Sequence, residues 1–120
     1  MTRAGKVRLQ VRRVYADPGA DEGRLVLVDR LWPRGLSKTD LEGVLWLREV
    51  APSAGLRKWF GHDPARWDEF RKRYFAELKA NPAAEQLRQI AGEGLVTLLY
   101  GAHDQTHNQA VALAQFLSET

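Results

Sequence analysis

Alternation comes first. Over residues 7–15 (VRLQVRRVY), Val7, Leu9 and Val11 fall on one face and Arg8, Gln10 and Arg12 on the other, the period of a half-buried strand. The phase slips at Arg13-Val14, which marks a bulge or the strand's end, and Asp17-Pro18-Gly19 reads as a turn. Residues 24–31 behave differently: Leu25-Val26-Leu27-Val28 is an unbroken β-prone run, expected of a strand covered on both faces. Leu95 to Tyr100 repeats that pattern. Val44-Leu45-Trp46-Leu47 is short enough to be a third strand, with a helix through it as the alternative.

Between the apolar runs lie helix signals. Ser37 with Asp40 three residues on has the form of a capping box, with Leu36 and Leu41 as its staple and a short helical turn to follow. Ser53 caps a short helix that Gly61 ends. Asp63-Pro64 opens the clearest helix, whose buried stripe is Trp67, Phe70, Tyr74 and Leu78. Asn81-Pro82 opens another, through Leu87 and Ile90 to Gly92 or Gly94. A last helix carries Val111, Ala114 and Leu117, with Asp104 as its expected N-cap and His107 and Asn108 in its first turn. Strands alternating with helices predict a single α/β domain over residues 1–120. Its expected form is three layers, a mainly parallel sheet of three to four strands flanked by helices.

Composition narrows the chemistry. The 120 residues include no cysteine, which removes disulfides, thiolate metal sites and a cysteine nucleophile, and fits a reducing cytoplasm. The first residues, MTRAGKVRLQ, lack the apolar core of a secretory signal, and no apolar run approaches a membrane span. A net charge of +3, from 18 basic and 15 acidic residues, does not by itself call for nucleic acid. There is no G-x-G-x-x-G, P-loop or G-x-S-x-G motif, and Ser37, Ser53 and Ser118 sit at cap-like or terminal places.

Ligands of open parallel sheets bind beyond the carboxyl ends of the strands. Two buried strands here end in polar clusters, Asp29-Arg30-Leu31-Trp32-Pro33-Arg34-Gly35 and Tyr100-Gly101 with His103, Asp104, His107 and Asn108. They share a crevice if the strands are neighbours. Arg30 and Arg34 offer planar forks for phosphate or carboxylate, and Gly35 allows a close backbone approach. Trp32 or Trp59 offers a stacking face. Asp29, His62 and His107 are the acid/base candidates, and Tyr100 and Asn108 would orient the ligand. A structural reading competes: Asp29 ion-paired to Arg30 or Arg34, Trp32 in the core, and Asp104 serving only as a cap. His103 and His107 have an i, i+4 spacing that suits two metal ligands, with His62 or Asp63 as a third. Two histidines are a weak signal, so no metal site is assigned.

Three stretches, VDRLWPRGLSK (28–38), APS with LRKWFGHDPARW (51–67) and VTLLYGAHDQTHNQAVAL (96–113), resemble the YeaO-like branch of the domain of unknown function 488 (DUF488) family in order and spacing, over roughly 7–117. The resemblance implies a small cytoplasmic bacterial or archaeal protein with an α/β three-layer fold, and implies no reaction. Many members of the wider family carry a Cys-His-Arg triplet where this chain has Asn108-Gln109-Ala110, so thiolate chemistry is unavailable here. The branch typically shows His-Asn, which His107-Asn108 matches.

The leading functional reading is binding of a small anionic ligand, phosphate- or nucleotide-bearing, at the C-terminal edge of the sheet, with turnover, enzyme status and cofactor left open. A second is a nucleic-acid-binding accessory module using the basic N-terminal strand (Arg3, Lys6, Arg8, Arg12, Arg13) and helix 64–80 (Arg66, Arg71, Lys72, Arg73). Asp68, Glu69 and Glu77 interleave the latter group, as on a solvated helix face. A third is a non-catalytic protein-interaction module anchored by Trp46 or Trp59. No membrane partner is expected.

Overall fold

The computed structural model describes residues 7–119. Arg3 and Lys6 lie outside the described residues. Four strands, β1 (Leu9–Arg13), β2 (Arg24–Leu27), β3 (Leu45–Trp46) and β4 (Val96–Tyr100), form one sheet in the order β1-β4-β2-β3, with every pairing parallel. The helices are α1 (Ala54–Phe60), α2 (Trp67–Lys79), α3 (Pro82–Gly92) and α4 (Gln109–Ser118), with single 3-10 turns at Arg48–Val50 and Pro64–Arg66. No helix among the described residues is long and apolar enough to cross a membrane.

The apolar runs sort as their patterns require. Both central strands are enclosed: all five residues of β4 are buried, as are Val26, Leu27 and Val28 at the end of β2. The edge strand β1 is only half covered, and Val11 is 37% exposed despite its apolar phase. The strand ends at Arg13, but Val14 still donates to the Tyr100 carbonyl at 2.7 Å. The Val44–Leu47 run resolves as a strand, β3. Gly23 precedes β2 with φ of 63°, and a Cβ there would lie 2.0 Å from the Leu95 carbonyl oxygen, so only glycine fits.

One face of the sheet carries the main core. Val26, Val28, Val96, Leu98 and Tyr100 pack in one cluster with the buried side chains of all four helices. The α2 stripe holds: Phe70, Tyr74 and Leu78 are buried, each such side chain contributing about 1.5–3 kcal/mol of apolar burial, and Trp67 packs partly exposed at the top. The buried Tyr74 hydroxyl donates to the Val50 carbonyl at 2.6 Å, tying α2 to the segment after β3.

The opposite face is covered by chain without helix. Trp32, Leu36, Leu41, Val44 and Trp46 lie over Leu27, Leu99 and Val14. The Ser37–Asp40 capping box forms both of its bonds, at 2.8 and 3.1 Å. The chain beyond it bonds only in i→i+3 steps, and Gly43 turns away at φ of 83° before a helix can propagate.

Two local corrections follow in α4. Its N-cap is Asn108, not Asp104: Asn108 adopts extended backbone and its side chain accepts from Val111 N–H. Its buried face is centred on Ala110, Leu113, Phe116 and Leu117, with Val111 and Ala114 only half-buried.

Candidate functional site

Because every strand runs the same way, all carboxyl ends meet at one edge, and β2 and β4 are direct neighbours there. The two polar clusters therefore face a common crevice. It contains two adjoining cavities of about 340 and 250 Å³, which share Pro52, Arg57, His62 and Gln109 as walls. Ala54, Lys58, Phe60, Phe70 and Asn108 complete the larger, and Asp29, Arg30, Leu31, Ala51 and Ala102 the smaller.

Asp29 leaves the end of β2, where Val28 N–H still pairs with the Leu99 carbonyl at 3.1 Å. One carboxylate oxygen accepts the Gly101 N–H at 2.9 Å and the other accepts the Gln109 amide. Its partners are therefore the β4 loop and α4, and neither Arg30 nor Arg34 is ion-paired to it. Burial pushes its pKa up, against the two hydrogen bonds that favour the carboxylate. A Cβ at Gly101 would stand 3.1 Å from the Asp29 oxygen, so any larger residue there would press on this carboxylate.

Arg30 follows on the same loop. One guanidinium nitrogen reaches the Pro52 carbonyl at 3.5 Å, and its buried Nε has no hydrogen-bond partner. Arg57 and Lys58 come from the last turn of α1, where cations also suit the helix dipole. None of the three is in an ion pair among the described residues. His62 borders both cavities just past Gly61, the left-handed C-cap of α1. Its φ of 58° makes it the one non-glycine residue with positive φ among the described residues, a conformation that costs about 1 kcal/mol or more. Phe60 and Phe70, stacked with centroids 4.3 Å apart, form an apolar wall.

The remaining sequence candidates are placed elsewhere. Trp32 donates to the Leu36 carbonyl at 2.6 Å and meets Trp46 edge-on at 5.2 Å, inside the second core. Trp46 donates to the Asp29 carbonyl at 2.8 Å. Trp59 lies beneath the Arg73 and Arg66 guanidinium groups, 4.2 and 5.2 Å from its ring centre. Tyr100 is buried, which pushes its pKa up, and borders neither cavity. Gly35 sits in an exposed turn with φ of 83°. Arg34 belongs to a separate depression with Arg13, Tyr15, Gly101 and His103. His107 pairs with Asp104 at 3.0 Å and stands edge-on to Trp67. His103 and His107 share no helical face, and no cluster of three metal-ligating side chains occurs among the described residues.

Arg57, Lys58 and Gln109 border the site without having been singled out in the sequence. Gln109 had a usable signal, being the first helical residue after the loop that leaves β4. Arg57 and Lys58 had none, because α1 precedes no strand directly and only the folded chain brings its end to this edge.

The family model described as the inactive DUF488-N3 subclade matches residues 8–120. The chain belongs to the DUF488 family. It is 42% identical over 113 residues to the uncharacterized protein Rv3073c of Mycobacterium tuberculosis, covering 94% of this chain and 96% of that one. To the uncharacterized protein YeaO of Escherichia coli it is 41% identical over 112 residues, covering 92% and 97%. No solved structure matches. Asn108 and Gln109, at the start of α4, border the larger cavity.

Proposed function

We propose that this DUF488 protein binds a small organic anion of nucleotide size in the paired cavities at the C-terminal edge of its sheet. One observation carries the reading. Arg30, Arg57, Lys58 and His62 surround a crevice that holds a single carboxylate, and that carboxylate already accepts two hydrogen bonds from the protein. Arg30, Arg57 and Lys58 have no acidic partner among the described residues, so an incoming anion gains charge-assisted hydrogen bonds without displacing an ion pair. The opposite wall, Pro52, Phe60 and Phe70, suits a flat apolar group such as a base. Gln109, whose amide nitrogen donates to Asp29, turns its amide oxygen to such a ring as an acceptor in this reading.

Binding without turnover is the form of the reading. The single carboxylate of the walls is engaged in two hydrogen bonds, and the word inactive in the family description agrees with binding alone. A cytoplasmic setting, where nucleotides are abundant, fits a chain without cysteine. The basic residues of the alternative nucleic-acid reading are largely committed within the fold: Arg12 forms a two-pronged pair with Glu22, and Arg71 bonds Asp68 and Gln115.

The test is a thermal-shift series with nucleoside monophosphates, sugar phosphates and inorganic phosphate. A ligand at a hundred times its Kd adds about 2.7 kcal/mol of stability. The expected result is a higher Tm with a nucleoside monophosphate, absent in Arg57→Ala. No shift with any phosphate compound, or an equal shift in Arg57→Ala, overturns the reading.

A further inference from the structure

Cations recur farther along the same edge. Beyond the Asp29–Gly101 hydrogen bond, Arg13, Tyr15, Arg34 and His103 enclose a depression of about 370 Å³. Its geometry is held from inside the fold. Arg13 Nε donates to the Ala102 carbonyl at 2.9 Å, and the guanidinium lies 4.7 Å above the Tyr15 ring. A second guanidinium nitrogen meets His103 Nδ1 at 3.3 Å. The Tyr15 hydroxyl donates to the Arg34 carbonyl at 2.7 Å and fixes the backbone of that arginine. Among the described residues the Arg34 side chain is in no hydrogen bond or ion pair, and no carboxylate lines the depression.

We propose that this depression is a second phosphate subsite, so that the ligand held at the sheet edge carries two phosphates separated by one sugar. The ligand's other half rests on the binding reading above. The chain arrangement sets the spacing. Ala102 borders the smaller cavity, while its neighbours Gly101 and His103 border the depression. The two anion positions therefore lie on opposite sides of a single backbone, and neighbouring backbones in a sheet are about 4.8 Å apart. The smaller cavity takes residues from the segments after β2 and β3, and the depression takes residues from the ends of β1 and β4 and from the β2 loop, so the two sites are neighbours along the sheet edge. Two directly bonded phosphates would crowd one side of that backbone, whereas phosphates on the two ends of a ribose span it. That chemistry occurs in a free nucleoside 3′,5′-bisphosphate and at the 5′-phosphorylated end of a single strand.

Amide spectra of the protein titrated with inorganic phosphate separate the two sites. Two groups of shifts are expected, one at Gly61 and His62 and one at Gly101 and His103, and Arg34→Ala weakens the second group at least fivefold. Shifts at Gly61 and His62 alone overturn the subsite and leave the first reading standing. Shifts at Gly101 and His103 alone overturn the first reading and keep the subsite. Affinities for a nucleoside 5′-monophosphate, a nucleoside 3′,5′-bisphosphate and a 5′-phosphorylated dinucleotide then test the pairing. At least one bisphosphorylated ligand is expected to bind tenfold tighter than the monophosphate, and in Arg34→Ala that advantage disappears. A gain with the bisphosphate alone identifies a free nucleotide, and a gain with the dinucleotide a strand end. Equal affinity for all three overturns the two-phosphate ligand.

Discussion

The loop leaving β2 and the loop leaving β4 start from neighbouring strands with similar cargo: an aspartate, at least one basic or histidine side chain, and a glycine. They fold to opposite ends. After β4, Asp104 accepts the Thr106 and His107 N–H groups, both at 2.9 Å, and Asn108 caps α4 while donating to the Asp104 carbonyl. From Asp104 to Asn108 the loop is closed on itself. After β2, Asp29 reaches across to the other loop, Arg30 keeps a buried nitrogen without a partner, and Arg34 projects unpaired. Polar residues that satisfy one another hold structure, and those left with open valences have capacity for a ligand. Substitutions should therefore split by loop, stability changing in one and binding in the other.

The largest stability effect is expected at Asn108. Replacing it by alanine removes the cap and leaves buried polar groups of the loop without their partner. The expected cost is about 2 kcal/mol, combining a lost cap with an unsatisfied carbonyl. Denaturant unfolding measures it. A loss below about 0.5 kcal/mol would mean that the β4 loop does not hold α4 in place.

Arg30→Met is the counterpart in the β2 loop. It removes a charge whose Nε is buried without a partner, so stability should be equal or higher. Affinity for a phosphate ligand should drop about tenfold, or about 1.4 kcal/mol. Destabilisation by 2 kcal/mol or more would instead make Arg30 a structural residue and blur the contrast.

Why was this division only partly visible in the chain? The unbroken runs at 25–28 and 95–100 announced the central strands, since burial on both faces leaves no room for polar phase. Caps at Ser53 and Asn81 marked helix starts because their chemistry is local, whereas Asp63-Pro64 opens a 3-10 turn and α2 itself begins at Trp67. The helix through Trp67 was legible for the same reason. What the order of residues does not encode is which polar group finds a distant partner. Asp104 and Asn108 are both sound caps, and the choice fell to Asn108 because Asp104 closes its own turn first. Trp32 and Arg34, two residues apart, diverge to a core and to a separate depression, because the chain there follows a turn rather than a strand or helix. Arg57 and Lys58 entered the site through tertiary packing of α1 alone.

A smaller effect is expected from Asp29→Asn. The variant can still accept from Gly101, and Gln109 can turn its amide to present oxygen. Removing a carboxylate from beside the anion should tighten phosphate binding by about 1 kcal/mol, roughly fivefold. The same carboxyl has a pKa raised by burial, so its ionisation opposes folding. Its contribution to stability is fully present below the unfolded pKa and is lost as pH rises through the folded one. The stability of Asp29→Asn should thus gain on the parent between acid and neutral pH. Weaker phosphate binding in the variant would show that the carboxylate recognises a donor on the ligand.

Asp104 should respond to pH with the opposite sign. The Thr106 and His107 N–H groups hold its carboxyl well below the usual carboxylate range, with added bonds from the His107 and Thr106 side chains. A depressed acid stabilises the fold above its unfolded pKa, about 3.9, and that stability is lost as pH falls through the folded value. Asp104→Asn keeps an acceptor for the two N–H groups but not the charge. The parent should be the more stable above pH 5, and the gap should narrow steadily as the pH is lowered below about 4. Phosphate affinity at neutral pH should be the same for both proteins. Measuring unfolding free energy against pH for Asp29→Asn, Asp104→Asn and the parent places the two aspartates on one plot. Curves that diverge from the parent in opposite directions would confirm that one carboxylate serves the site and the other the fold. Curves that run parallel would mean the loops differ in sequence only, and that hydrogen-bond closure is no guide to where this protein binds.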